Sequence, residues 1–291
     1  MSDAYNYLNT YTKNTSHHYA INTTAHQSDF KRTKNTMATY LITGASRGLG
    51  LSLATILTSK PDLKVGLVFI TSRNTSTPKI TELVEKTSGR VVPVQLDPSD
   101  PQSLKAAVEF VESQVQGSGL DVLVNNAGVQ RFTNGKVGDM SSTDLTEVLY
   151  TNVTLAHLVT SAFLPLLRQG KRKIIANISS TVGSIALAPG FARYPAHSYK
   201  ISKTATNMLT MQYALDYKDE GFSVFAISPG WLRTDLGGPN ADLSVETGAK
   251  EVLRYLKEAG PDFNGRFLNI LVPGWENAPG PNQYDGKDAP W

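Results

Sequence analysis

The chain has 291 residues, 40% of them hydrophobic, which suits one large α/β domain able to bury roughly three-quarters of its unfolded surface. It contains no cysteine, which excludes disulfides, thiolate metal sites and cysteine nucleophiles together. Its formal net charge is only +3, with no block of like charges, so neither nucleic acid nor a membrane surface is expected as a partner.

The first 36 residues are rich in Asn, Thr, Ser, Tyr and His and nearly devoid of aliphatic side chains. Such a stretch buries too little apolar surface to offset its ordering entropy, and 1–37 is expected to be a disordered extension. Lys13, Lys31, Arg32 and Lys34 face only Asp3 and Asp29 there. No apolar signal region is seen, and no run approaches the ~18 consecutive apolar residues of a membrane span. With cysteine absent, a cytoplasmic location is expected.

From Thr39 onward, short apolar runs alternate with helix-length amphipathic segments, the pattern of βαβ units and a parallel sheet. The predicted strands are 39–43, 64–71, 90–96, 121–125, 172–178, 223–228 and 266–271. They read as continuous apolar runs, as strands covered on both faces should. Pro101 marks a helix start, followed by Leu104, Ala107, Val108, Val111 and Val115 at helical spacing. No linker interrupts 39–271, so 38–291 is read as one domain. The Pro- and Gly-rich stretch 272–291 reads as an extended tail packed on the surface.

The first strand runs into Thr43-Gly44-Ala45-Ser46-Arg47-Gly48-Leu49-Gly50, and a helix pattern follows. At a strand-to-helix junction, glycines permit a tight turn, backbone approach to a pyrophosphate and close helix packing. The helix N-terminus adds free N–H groups and a positive dipole end. An acid expected to meet an NAD ribose is missing from the end of the second strand, Ile70-Thr71-Ser72-Arg73-Asn74. Arg73 and Arg47 suit a 2′-phosphate instead, so NADP(H) is the expected cofactor.

Tyr199 and Lys203 lie four apart, on one helix face. Of twelve tyrosines, only Tyr199 has a lysine at that offset. A phenol beside an ammonium is a candidate proton donor, the cation drawing its pKa down toward working pH. Ser180 closes the fifth strand, with Ser179 as the competing hydroxyl, and Asn152 interrupts an apolar helical run between Leu149 and Val153.

Together the loop 43–50, Asn125-Asn126-Ala127-Gly128, Ser180, Tyr199-x-x-x-Lys203 and Pro229-Gly230 resemble the short-chain dehydrogenase/reductase family over about 39–271. More narrowly, Pro229-Gly230-Trp231, Thr234-Asp235 and Val272-Pro273-Gly274-Trp275-Glu276 resemble fungal ketoreductases similar to norsolorinic acid ketoreductase. The resemblance implies a Rossmann-like, doubly wound parallel sheet of seven strands in the order 3-2-1-4-5-6-7, with helices on both faces. It implies reduction of a ketone or aldehyde by NADPH, with Asn152, Ser180, Tyr199 and Lys203 as the catalytic residues. Gly44, Ser46, Arg47, Gly48, Leu49, Gly50, Arg73, Asp97, Asn126, Ala127, Gly128, Tyr199, Lys203, Pro229, Gly230 and Thr234 would line the cofactor. Asp97 would lie beside the adenine, Thr234 toward the carboxamide, and Asn125 would tie the central strands. No metal is implied, and two copies would pair through the helices holding Asn152 and Tyr199.

Eighteen residues separate Ser180 from Tyr199, so 185–197 can wall the site opposite Trp231 and Leu232, with 237–239 as a hinge. Those walls suggest a bulky, aromatic carbonyl substrate. Two other readings stay open, a non-catalytic NADPH-binding sensor or scaffold and an extended-type epimerase or dehydratase.

Overall fold

A computed structural model describes residues 37–59 and 64–291. Of the expected disordered extension 1–37, only Met37 falls among them. The strands are β1 (Ala38–Ile42), β2 (Val65–Ser72), β3 (Val91–Gln95), β4 (Val122–Asn125), β5 (Ile174–Ile178), β6 (Ser223–Ser228) and β7 (Phe267–Asn269). They form one parallel sheet in the order β3-β2-β1-β4-β5-β6-β7. All seven predicted strands are present, with ends displaced by up to two residues.

The helices are α1 (Gly48–Ser59), α2 (Pro78–Lys86), α3 (Pro101–Val115), α4 (Ser142–Leu149), α5 (Leu155–Gln169), α6 (His197–Asp216) and α7 (Val245–Glu258). Asp100 caps α3 by accepting from the Gln102 N–H, and Pro101 occupies its first turn, where no N–H is needed. Ser244 caps α7 in the same way, accepting from Thr247.

The strands alternate between two cores. Tyr40 and Ile42 of β1, Val122 and Val124 of β4, and Phe225 and Ile227 of β6 pack with Leu53 and Leu57 of α1 and Val252 and Leu256 of α7. Leu41, Leu123 and Val224 point the other way, into Val111, Phe163, Leu167 and Tyr213 of α3, α5 and α6. Both faces are dry, which is why the strands lack polar alternation.

β1 pairs with β2 on one side and β4 on the other, so chain direction around the sheet reverses there. Open α/β sheets hold ligands in the crevice at that switch point. One helical stretch, Ser142–Gln169, is long and apolar enough to cross a membrane by length and composition alone. Its polar residues are interspersed, so it holds no long uninterrupted apolar run. Val159, Phe163 and Leu167 on its buried side pack beneath the sheet.

Residues 272–291 do more than lie on the surface. They return antiparallel to the end of β7, through bridges Leu268–Asp288 and Leu271–Asp285, and bury Tyr284 almost completely.

Candidate active site

The glycine loop is bound to the end of β4 by a compact set of hydrogen bonds. Thr43 Oγ1 accepts from the N–H groups of Asn126 (2.9 Å) and Ala127 (3.0 Å). Asn126 Nδ2 donates back to the carbonyls of Thr43 and Gly44. Gly44 has φ +64°, and a Cβ there would stand 2.8 Å from Ala127 Cα; one on Gly50 would meet Asn126 Nδ2. The loop therefore presents backbone where side chains would otherwise stand, and α1 opens at Gly48 with its free N–H groups beside it.

Ser46, Arg47, Gly48, Leu49, Arg73, Asp97, Asn126, Ala127, Gly128, Pro229, Gly230 and Thr234 all line one cleft, together with Ser180, Tyr199 and Lys203. Gly50 and Asn152 stand just behind that lining, supporting it. Asp97 accepts from the hydroxyl and N–H of Ser99, which hold its carboxyl below the usual range, with a smaller contribution from Arg73. Arg47 differs from expectation: its guanidinium pairs with Asp235 at 3.1 Å. Both side chains are largely exposed, so this pairing is weak and easily exchanged.

At the other end of the sheet switch, β5 presents two serines that the geometry separates. Ser179 is buried and donates to Asn207 Oδ1 at 2.5 Å. Ser180 lines the cleft, close enough to the Tyr199 hydroxyl to offset part of the rise in its pKa. Lys203 donates to the Ile178 carbonyl at 2.7 Å, and its ammonium lies 5.5 Å from the Tyr199 ring centroid. Helix α6 comes this close because residue 183 is glycine; a Cβ there would be 2.6 Å from Lys203 Cβ.

Asn152 lies in a single π-helical turn, Tyr150–Thr154, joining α4 to α5. Such bulges are frequent at functional sites. Its Oδ1 accepts from the Val129 N–H (2.8 Å), and its Nδ2 donates to the Val129 carbonyl and Ser202 Oγ (2.9 Å each). Ser202 in turn donates to the Tyr199 carbonyl. A Cβ on Gly128 would be 3.3 Å from Asn152 Oδ1 and 3.8 Å from Lys203 Nζ, so these residues converge. Asn125 bridges strands as expected, donating to Thr160 and Asn177.

The electrostatics depart from the expected depressed phenol. Burial pushes the Tyr199 phenol well up, Tyr194 adds to this, and the Ser180 hydroxyl offsets part of it. Burial also brings the Lys203 ammonium down to about 8. Desolvation opposes both charged forms. The ammonium is turned to a backbone carbonyl rather than to the phenol oxygen, so the cation does not overcome that penalty.

The walls are aromatic. Pro189, Gly190, Phe191, Tyr194, Trp231 and Leu232 all line the cleft. Tyr194 donates to Gln130 Oε1 at 2.6 Å and meets Phe132 edge-to-face. The expected hinge at Gly237 is tied down instead. Its carbonyl accepts from the Trp231 indole, its N–H donates to Thr234 Oγ1, and a Cβ there would run into the Leu232 carbonyl. Ser202, Asn207 and Gln130 support the site but carried no motif signal, since only tertiary packing gives them partners. Among the described residues, no cluster of three or more His, Asp or Glu side chains could hold a metal.

The cleft measures about 2200 Å³. That exceeds the ~300–1,000 Å³ of an ordinary ligand pocket and leaves room for two ligands side by side.

Residues 38–242 match the family model described as short chain dehydrogenase. The chain is 39% identical to short-chain dehydrogenase/reductase AacuF of Aspergillus aculeatus, over 78% of this chain and 86% of that one. It is 34% identical to short-chain dehydrogenase anuI of Penicillium roqueforti, over 81% and 96%. Among solved structures, the NADPH-bound carbonyl reductase from chicken fatty liver superposes with a TM-score of 0.76 at 32% identity, covering 88% of this chain and 94% of that one.

Proposed function

Because the chain belongs to the short-chain dehydrogenase family, we propose that it is an NADP(H)-dependent oxidoreductase that reduces a bulky, aromatic ketone or aldehyde to an alcohol. The observation that carries this reading is the convergence of the Ser180 hydroxyl, Tyr199 phenol and Lys203 ammonium in one cleft with the glycine loop.

The loop suits a dinucleotide, since the cradle of Gly44 and Gly50 is space that a Cβ would fill. When bound, NADPH supplies the hydride to the carbonyl carbon. Tyr199 hands its proton to the carbonyl oxygen, and the Ser180 hydroxyl donates a hydrogen bond to the same oxygen as charge builds. Lys203 would hold the nicotinamide ribose, and Asn152 would organise the relay that returns a proton to Tyr199. Arg73, with Arg47 released from Asp235, would receive the 2′-phosphate, and Asp97 would lie by the adenine. Asn126, Ala127, Gly128, Pro229, Gly230 and Thr234 would line the rest of the cofactor.

The aromatic residues that line the cleft support a planar substrate. Exposed Tyr150, Ile201, Met208 and Leu215 on the helices bearing Asn152 and Tyr199 support a homodimer. A cytoplasmic location completes the proposal.

NADPH oxidation against a panel of aromatic polyketide ketones and simple aldehydes tests the reading. Tyr199→Phe is expected to lose ~10²–10⁴-fold in turnover while still binding nucleotide. Folded protein that binds no pyridine nucleotide, or a variant with full turnover, overturns it.

A further inference from the structure

We propose that the C-terminal segment 281–284 is a specificity wall of the substrate cleft, latched by Asp242, and that Tyr284 is a positioning residue for Trp231. This inference rests on the carbonyl-reductase reading and names which residues set the size of its substrate.

Tyr284 is buried, yet its hydroxyl reaches two residues of the substrate loop. It donates to Asp242 Oδ2 at 2.6 Å and accepts from the Trp231 N–H at 3.2 Å. Asn282 Nδ2 donates to the same carboxylate oxygen at 2.8 Å. One carboxylate from the loop after β6 thus holds two side chains of the tail. That loop is closed on itself, since Leu243 donates to the Trp231 carbonyl and Arg233 to the Leu243 carbonyl. A displacement of Tyr284 is therefore passed directly to the backbone of Trp231, a residue that lines the cleft.

The tail is itself anchored. Val272 donates to the Tyr284 carbonyl, Tyr284 to the Trp275 carbonyl, and the Trp275 ring packs on Tyr284 at 5.4 Å. Tyr255 adds bonds to the carbonyls of Asn269 and Gly286. Burial and the Asp242 bond both push the Tyr284 phenol up, so it remains a donor throughout the working pH range.

The wall also comes close to the insert. A Cβ on Gly190 would lie 3.4 Å from Pro281 Cβ, so any larger side chain at residue 190 would meet the tail. Pro281, Asn282 and Tyr284 line the same cleft as Phe191, Tyr194 and Trp231. Insert, tail and substrate loop all contribute to the lining of that cleft. A ring system is expected to contact these segments, and a short aliphatic carbonyl to depend on them less.

The test compares phenanthrenequinone with propanal in the full-length protein and in Tyr284→Phe and Asn282→Ala. In each variant the ratio of kcat/KM for phenanthrenequinone to that for propanal is expected to fall, roughly tenfold for Tyr284→Phe, through KM rather than kcat. An unchanged ratio, or an equal fall for both carbonyls through kcat, overturns the proposal. Asn282→Ala decides the matter if Tyr284→Phe does not fold. Quenching of tryptophan emission by phenanthrenequinone reports occupancy without turnover. If wild type reduces no carbonyl, the reductase reading fails. Weaker quenching in the variants then still supports the wall, and equal quenching overturns it.

Discussion

Lys203 and Tyr199 lie on one face of α6 with the ammonium 5.5 Å from the ring centroid, yet the ammonium donates to the Ile178 carbonyl instead of the phenol. Both groups are buried, and burial moves both away from their charged forms. The folded protein releases the Lys203 proton near 8, whereas an unfolded chain holds it to about 10.5. Between those values the unfolded state binds more protons, so this residue makes stability rise with pH. The raised Tyr199 phenol acts in the opposite sense, but only above about 10, where the unfolded chain loses a proton that the folded one keeps. Lys200, also lowered by burial, contributes to the lysine window. Lys203→Met is thus expected to flatten the rise in urea midpoint between about 8 and 10, relative to wild type. A curve parallel to that of wild type contradicts this prediction.

The two serines at the end of β5 should separate cleanly. Ser180→Ala is expected to lower kcat by ~10²-fold, the scale of one lost donor at a developing oxyanion, with little change in melting temperature. Ser179→Ala removes a buried bond to Asn207 and leaves that amide oxygen short of a donor. It should cost ~1–3 kcal/mol of stability while retaining the chemical step. Urea titration and initial rates on both variants check this; the opposite pattern would assign the roles the other way.

Gly44→Ala should damage both fold and nucleotide binding. The residue has φ +64°, and its new Cβ would press on Ala127 Cα, a backbone atom that cannot swing aside. A destabilisation of at least ~1 kcal/mol is expected from the left-handed backbone alone. NADPH affinity, measured by nucleotide fluorescence, should fall with it. Wild-type affinity in this variant would show that the loop is not the cradle.

Arg73→Ala should lower NADPH affinity by roughly tenfold or more, the scale of a charge-assisted phosphate contact, and leave NADH affinity nearly unchanged. Arg47→Ala should have a smaller effect, because Arg47 must first leave Asp235. Equal losses for both nucleotides would place neither arginine at the 2′-phosphate.

The seven strands were legible because a sheet covered on both faces demands uninterrupted apolar runs, which composition displays directly. The glycine loop and the Tyr199–Lys203 pair were legible for a similar reason: each is a local pattern whose spacing already defines its geometry. Local spacing could not show which of Ser179 and Ser180 faces the cleft, since the neighbour that claims Ser179 is Asn207, twenty-eight residues away. Nor could it show the direction of the Tyr199 shift, because desolvation depends on everything packed around a group, and the nearest cation had turned to a strand carbonyl. The contacts of the tail were the least legible feature. Its prolines and glycines announce extended chain, but the burial of Tyr284 and its bond to Asp242 exist only once β7 and the loop after β6 lie side by side. Sequence by itself determined the elements and the local chemistry, through periodicity and spacing. Partners distant along the chain were decided by tertiary structure alone, because hydrogen bonding and burial depend on proximity in space.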